Sequence, residues 1–342
     1  MVALVREVYP RARVALGGVY AALCEEHARA HVGADLVVGS GGLGKFYAWV
    51  ERVTGRSPGI APAVFSGLPY PCFDLYEKRE FVPVLGSVGC VYRCSYCATP
   101  FLYPRIEERT AGEMIREIAH WHHEGAKRFV LYDDAFLVGR EGRAMPFLRG
   151  VTELPFATSF YNPNAVHTAL VDEETAVLLR AAGFEEVRLG FESVDGGVQR
   201  ATGGKVDTEG FERAVGFLKA AGFDGSRIGA YVLAGLPGQA WQDVQGSIEY
   251  LGGLKVRVHL AEYSPVPHTA LFERHHMDAR YPIKEEPLFH NKALFPFSWE
   301  GFTEEHLQEL KRQVLEQNGA LEGRSGYKGS GTAKAGFVKE EQ

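Results

Sequence analysis

Three cysteines, Cys90, Cys94 and Cys97, stand within eight residues at the spacing C-x3-C-x2-C. Thiolates are the usual protein ligands of iron–sulfur clusters, and they also bind zinc. A structural zinc site needs a fourth ligand, and none follows at close spacing: His120, His122 and His123 come more than 20 residues later. Three thiolates on a four-iron cluster leave one iron without a protein ligand, the open position that a catalytic metal site keeps and a structural one lacks. The remaining cysteines, Cys24 and Cys72, lie far apart and read as buried thiols. An odd set with three clustered members argues against a secreted disulfide framework.

The elements that must position the triplet are legible around it. The apolar run 81–89, FVPVLGSVG, ends at Cys90. Five similar runs follow at 128–136, 156–163, 186–193, 227–238 and 256–267, each closing on Gly, Asp, Asn, Ser or Pro, as buried parallel strands do. Between them, Thr110 and Glu113 form a capping box ahead of a helix, and Asp172 caps a helix that stops at Gly183. Phe211, Ala214, Val215 and Leu218 show helical spacing, and 240–251 is a further helix; the link between the second and third runs lacks a clear helical pattern. Six β–α repeats make an α/β fold: a partial (β/α)6 TIM-like barrel, with its chemistry at the carboxyl ends of the strands.

Two flanks complete the chain. RVALGG (13–18) and ADLVVGSGG (34–42) read as strands, each followed by a helix, in an incomplete flavodoxin-like α/β segment. Thr303 caps a C-terminal helix that Gly319 is expected to stop, with Phe302 and Leu307 as a hydrophobic staple, and the last 20 or so residues read as a flexible tail. The expected division is 1–75, 76–275 and 276–342. A net charge of -6 supplies no global field for nucleic acid or an anionic membrane, and no run of 18 apolar residues is present, so a cytoplasmic protein without a membrane span is the expectation.

With Tyr96 one residue before Cys97, the triplet resembles the C-x3-C-x-aromatic-C signature of the radical SAM superfamily. YDDAF (132–136), NPNAV (162–166), RLGFES (188–193), AGLPGQ (234–239) and YSPVPHT (263–269) fall where that family places its strand ends. The resemblance implies a [4Fe-4S] cluster on Cys90, Cys94 and Cys97. It also implies S-adenosylmethionine (SAM), chelated to the open iron and cleaved to a 5′-deoxyadenosyl radical. By the same resemblance Glu192 and Ser193 face the ribose or methionine of SAM, and the backbone at Asp133 and Asp134 takes its amino group. Gly235 and Leu236 pack the adenine, and Asn162 touches SAM or substrate. For each of these residues a turn or an ordinary structural hydrogen bond is the other reading. Tyr161, Tyr231 and Tyr263 read either as pocket walls or as buried aromatics.

Two further readings concern the N-terminal segment. Gly39 to Lys45 nearly matches a phosphate-binding loop, but Phe46 stands where the Mg²⁺-holding hydroxyl belongs. The segment better resembles the C-terminal half of the cobalamin-binding domain that precedes many radical SAM barrels. Gly39-Ser40-Gly41-Gly42 replaces that family's G-E-G-E, so whether cobalamin binds stays open. The function expected from the resemblance is a radical SAM enzyme, a methyltransferase or cyclase, acting on a small molecule with a reduced flavodoxin- or ferredoxin-type electron donor. The alternative is a non-catalytic iron–sulfur or cobalamin-binding regulatory protein.

Overall fold

The computed structural model describes residues 1–57, 59 and 65–323. The tail expected at the C-terminus lies outside the described residues. The chain begins with α1 (Val2–Val8), β1 (Ala15–Leu16), α2 (Val19–Leu23), α3 (Glu25–His31), β2 (Leu36–Val37) and α4 (Leu43–Thr54). β1 and β2 pair in parallel over a small core of Ala21, Ala28 and Val37. Asp35 ties the start of β1 down, accepting from the Val14 backbone at 2.8 Å and from Arg13 at 3.2 Å.

The larger body follows. It contains β3 (Val82–Val84), β4 (Ser87–Val88), α5 (Thr99–Leu102), β5 (Glu107–Glu108), α6 (Ala111–His123), β6 (Arg128–Leu131), α7 (Ala144–Thr152) and β7 (Ser159–Tyr161). It continues through α8 (Glu173–Ala181), β8 (Phe184–Glu192), α9 (Gly196–Thr202), α10 (Thr208–Ala220), β9 (Ile228–Ala234), α11 (Trp241–Gly253), β10 (Arg257–Glu262), α12 (Ala270–His275) and α13 (Glu304–Leu321). The six expected runs supply β3, β6, β7, β8, β9 and β10, side by side in that order and all parallel. Alternate strand residues such as Phe129, Leu131, Phe160, Val187 and Leu189 pack with the helices in one continuous core. Their neighbours, Val130, Tyr132, Tyr161, Glu186 and Arg188, line a cavity on the other face, as the two-residue period of a strand requires. This is the barrel-like α/β sheet the pattern implies. No described helix is long and apolar enough to cross a membrane.

One local reading is sharpened and one fails. The link between the second and third runs does contain a helix, α7, which buries Met145, Phe147, Leu148 and Val151. Pro146 obscures it in the sequence, yet it sits in the first turn, where a missing N–H costs no helical bond. And α13 runs through Gly319 to Leu321. Its last turns are held by tertiary bonds: the Asn318 amide accepts from the Val258 N–H at 2.9 Å and donates to the Val258 carbonyl at 2.8 Å. Those bonds cap the open edge of β10 and outweigh the roughly 1 kcal/mol that a helical glycine costs.

The capping box of α6 does more than start a helix. One Glu113 oxygen accepts from the Thr110 N–H at 2.8 Å, and the other accepts from Ser66 at 2.7 Å and the Gly67 N–H at 2.9 Å, pinning the preceding linker. Hydrogen bonds from the Thr110 and Ser66 side chains and from the backbone lower its pKa from 4.5 to about 2. A carboxylate depressed on folding stabilises fully above its unfolded pKa and loses that contribution as pH falls through the folded one. Glu113→Gln is therefore expected to melt below the parent at about pH 7, with the gap closing between 4.5 and about 2. Thermal melts across that range check it, and a gap independent of pH would refute it.

Candidate active site

The cysteine loop leaves β4 through Gly89, whose φ of +89° and close approach to the Arg105 carbonyl suit only glycine. Asp134 clamps both ends of the loop. It accepts from the Gly89 N–H at 2.9 Å, just before Cys90, and from Thr99 Oγ1 at 3.4 Å, just after Cys97. Thr99 Oγ1 also lies 3.3 Å from Cys97 Sγ. Cys94 is buried, and its Cα packs against Gly203, where an added Cβ would sit 3.1 Å away. Ser95 fastens the middle of the loop, its N–H donating to the Thr202 carbonyl at 3.2 Å and its carbonyl accepting from Leu271 at 2.9 Å. His167 stands with Nε2 3.7 Å from Cys90 Sγ; burial and the Lys205 charge hold its pKa down to about 4.

Beside the loop lies a group that sequence reasoning found only in part. Tyr96 donates to Glu192 Oε1 at 2.9 Å, and Lys205 lies 2.7 Å from the same oxygen and 3.1 Å from the Tyr96 hydroxyl. Glu192 Oε2 has no described partner. Glu192 is buried at the end of β8 with φ +70°, beside a register shift that turns its side chain out of the strand alternation. Burial opposes charge on Lys205, but Glu192 and Cys94 outweigh it and raise the pKa, so the ammonium is kept. Burial, then Glu192, pushes the Tyr96 phenol far up, so it stays a donor. Lys205 follows Gly203-Gly204 after α9 and matches no motif; only its place beside Glu192 identifies it.

The other expected residues divide. Asp133 is fully buried, and its carboxylate accepts from Ser87 at 2.7 Å, the Gly86 N–H at 3.0 Å and Arg143 at 2.9 Å, so it holds the start of the cysteine loop from beneath. Ser193 turns away, its hydroxyl accepting from the Asp195 N–H at 3.1 Å and lying 3.4 Å from Ser247. The N–H groups of Gly235 and Leu236 both donate to Gln239 Oε1, at 2.9 and 3.2 Å, so that turn satisfies itself. The Leu236 side chain joins Tyr263, Phe272 and Phe297 in an apolar cluster that reaches Tyr96. Asn162 is buried, donating to the Asn164 carbonyl at 3.0 Å. Of the two outlying cysteines Cys24 is half-buried, whereas Cys72 is exposed, because it opens a short surface turn ahead of β3.

Three thiols on one loop are the donor chemistry of an iron–sulfur cluster. A single zinc bound at about 2.3 Å needs its sulfurs within about 4 Å of one another, and no three His, Cys, Asp or Glu among the described residues converge on one such point. Even so, Cys90 and Cys94 both feel the charge of Cys97, and Lys205 acts on both. Burial raises the Cys90 and Cys94 thiols, so ligation must displace their protons. The loop after β2 packs on α5 and α3: Ser40 donates to the Phe101 and Leu102 carbonyls at 3.3 Å, and Gly39 abuts the Glu25 carboxylate.

Comparison with known proteins follows this geometry. The radical SAM superfamily model matches residues 84–251. A bacteriochlorophyllide d C-12(1)-methyltransferase from Chlorobaculum tepidum is 24% identical over 205 residues, 58% of this chain and 43% of that protein. Among solved structures, the radical SAM methyltransferase TsrM from Kitasatospora setae matches with a TM-score of 0.51 and 21% identity, covering 58% of this chain and 38% of its own. The cobalamin-dependent radical enzyme OxsB matches with a TM-score of 0.58 and 12% identity, covering 93% of this chain and 50% of its own. The chain thus spans half or less of the length of these relatives.

Proposed function

Because the chain belongs to the radical SAM superfamily, we propose that it is a transferase in which Cys90, Cys94 and Cys97 ligate a [4Fe-4S] cluster beside a bound SAM. The observation that carries this reading is the convergence of the cysteine loop with Tyr96, Glu192 and Lys205 at the strand ends. When bound, the cluster supplies the electron that splits SAM into methionine and a 5′-deoxyadenosyl radical able to take a hydrogen atom from substrate.

The chain's own residues bind and orient. Asp134 fixes the loop at both ends, so the three thiols are presented together. In this reading Glu192 Oε2 accepts a ribose hydroxyl, while Tyr96 and Lys205 hold Oε1 still. Lys205 also supplies the positive charge that three thiolates and the SAM carboxylate require. The apolar cluster around Leu236 and Tyr263 walls the adenine side and excludes water. Methyl transfer is the subclass we favour, because both the curated relative and TsrM carry that activity in their names. For the reductant, a flavodoxin- or ferredoxin-type partner is proposed. Val91, Tyr103 and Ile106 are exposed beside the loop, as are Arg93 and Arg105, which have no ion pair among the described residues, an apolar and basic rim suited to an acidic donor.

Anaerobic reconstitution with iron and sulfide, then SAM and dithionite, is expected to yield 5′-deoxyadenosine from the parent and none above background from Cys97→Ala. Equal yields from the two would refute the assignment.

A further inference from the structure

The inner face of the sheet holds a cavity of about 470 Å³ that the reading above does not use. Three of its features point to a ligand. First, aromatic rings form it: Phe81 and Tyr161 meet edge to face at 5.8 Å, and Tyr132 lines the same space with half its surface exposed. Tyr132 and Pro83 also border a second, largely apolar cavity of about 340 Å³, so the ring divides a longer space. Second, the polar wall carries a guanidinium, that of Arg188. Arg188 bonds Glu186 at 3.0 Å, and His259 Nε2 lies 2.8 Å from the other oxygen of that carboxylate. Arg188 also donates to the Tyr231 hydroxyl at 2.9 Å, while its Nε–H has no acceptor among the described residues. Third, Asn162 borders the cavity at 3% exposure, and its Oδ1 has no hydrogen-bond partner. A buried amide oxygen left unpaired is costly, and a ligand N–H or O–H would satisfy it.

We infer that this cavity binds an aromatic carboxylic acid bearing an N–H or O–H donor, its ring among Phe81, Tyr132 and Tyr161, its carboxylate on Arg188 and its donor on Asn162. The inference rests on the radical SAM reading only in calling this molecule the substrate. Arginine is the side chain suited to this contact, because its fixed fork of donors meets a carboxylate without giving up charge.

The probes are 6-hydroxy-2-naphthoate, its 6-methoxy analogue, which lacks the donor, and 6-hydroxy-2-naphthalenemethanol, which lacks the acid. Each is titrated into the full chain and followed by naphthalene fluorescence. The hydroxy acid is expected to bind at least about tenfold tighter than either analogue. Arg188→Gln is expected to erase the preference for acid over alcohol. Tyr132→Ala, at a half-exposed position, should weaken all three probes alike while the far-ultraviolet circular dichroism stays that of the parent. No binding of any probe at millimolar concentration, equal affinities in the parent, or an acid preference that survives Arg188→Gln would each overturn the inference. Should Arg188→Gln fail to fold, the three affinities in the parent decide alone. SAM cleavage is assayed separately. Acid-selective binding without cleavage would sink the enzyme reading and leave the cavity standing, and cleavage without selectivity would do the reverse.

Discussion

Lys205→Met is expected to lower SAM cleavage by about 100-fold and to destabilise the fold at the same time. The lysine side chain is 15% exposed and that of Glu192 is 6% exposed, so the pair is shielded from solvent. Removing one partner of such a pair leaves the other charged and unmatched, at a cost of about 3–5 kcal/mol. The Tyr96 hydroxyl remains to Glu192 but brings no charge. Urea unfolding should therefore show a lower midpoint at an unchanged slope. The double variant Lys205→Met, Glu192→Leu removes both charges and separates the two roles. It should regain much of the lost stability, because no ion is left stranded, and none of the lost cleavage. Recovery of cleavage in the double variant would mean that the pair serves packing alone.

The second large effect is expected at Asp133, and its neighbour supplies the contrast. The Asp133 carboxylate is wholly inaccessible and faces Arg143, whose side chain is 3% exposed. Arg143 further donates to the Phe136 carbonyl at 3.0 Å and pairs with Glu108 at 3.2 Å, so it cannot swing out to water when Asp133 is lost. Asp133→Ala should again cost about 3–5 kcal/mol, and it frees Gly86 and Ser87 at the root of the cysteine loop. Asp134→Asn should behave oppositely, with a near-parental unfolding midpoint but reduced iron retention after reconstitution, because its bonds go to the ends of the cysteine loop. Iron content and denaturant curves on the two variants check both claims. Equal destabilisation by both substitutions would contradict this division of labour between adjacent aspartates.

What could be read from the sequence was whatever is local. The spacing of Cys90, Cys94 and Cys97 lies within one loop, and the six strands announce themselves as short β-branched runs. The caps at Thr110, Asp172 and Thr303 are all present, because a cap is a bond across three residues. Long-range pairing settled the rest. Tyr96 and Glu192 are 96 positions apart and Tyr96 and Lys205 are 109, with no periodicity linking them. The same holds for Glu186 and His259, 73 apart on strands that only the sheet order places on one inner face. Asp133 and Asp134 were indistinguishable as a pair of acids at a strand end. Just past the end of β6 the chain turns, and one points into the protein to Arg143 and the other to the ends of the cysteine loop. Local spacing thus carries the scaffold and the three candidate ligands. Which buried charges meet follows from the folded chain, because charge pairing depends on distance in space, and those distances arise only when the sheet closes over its core.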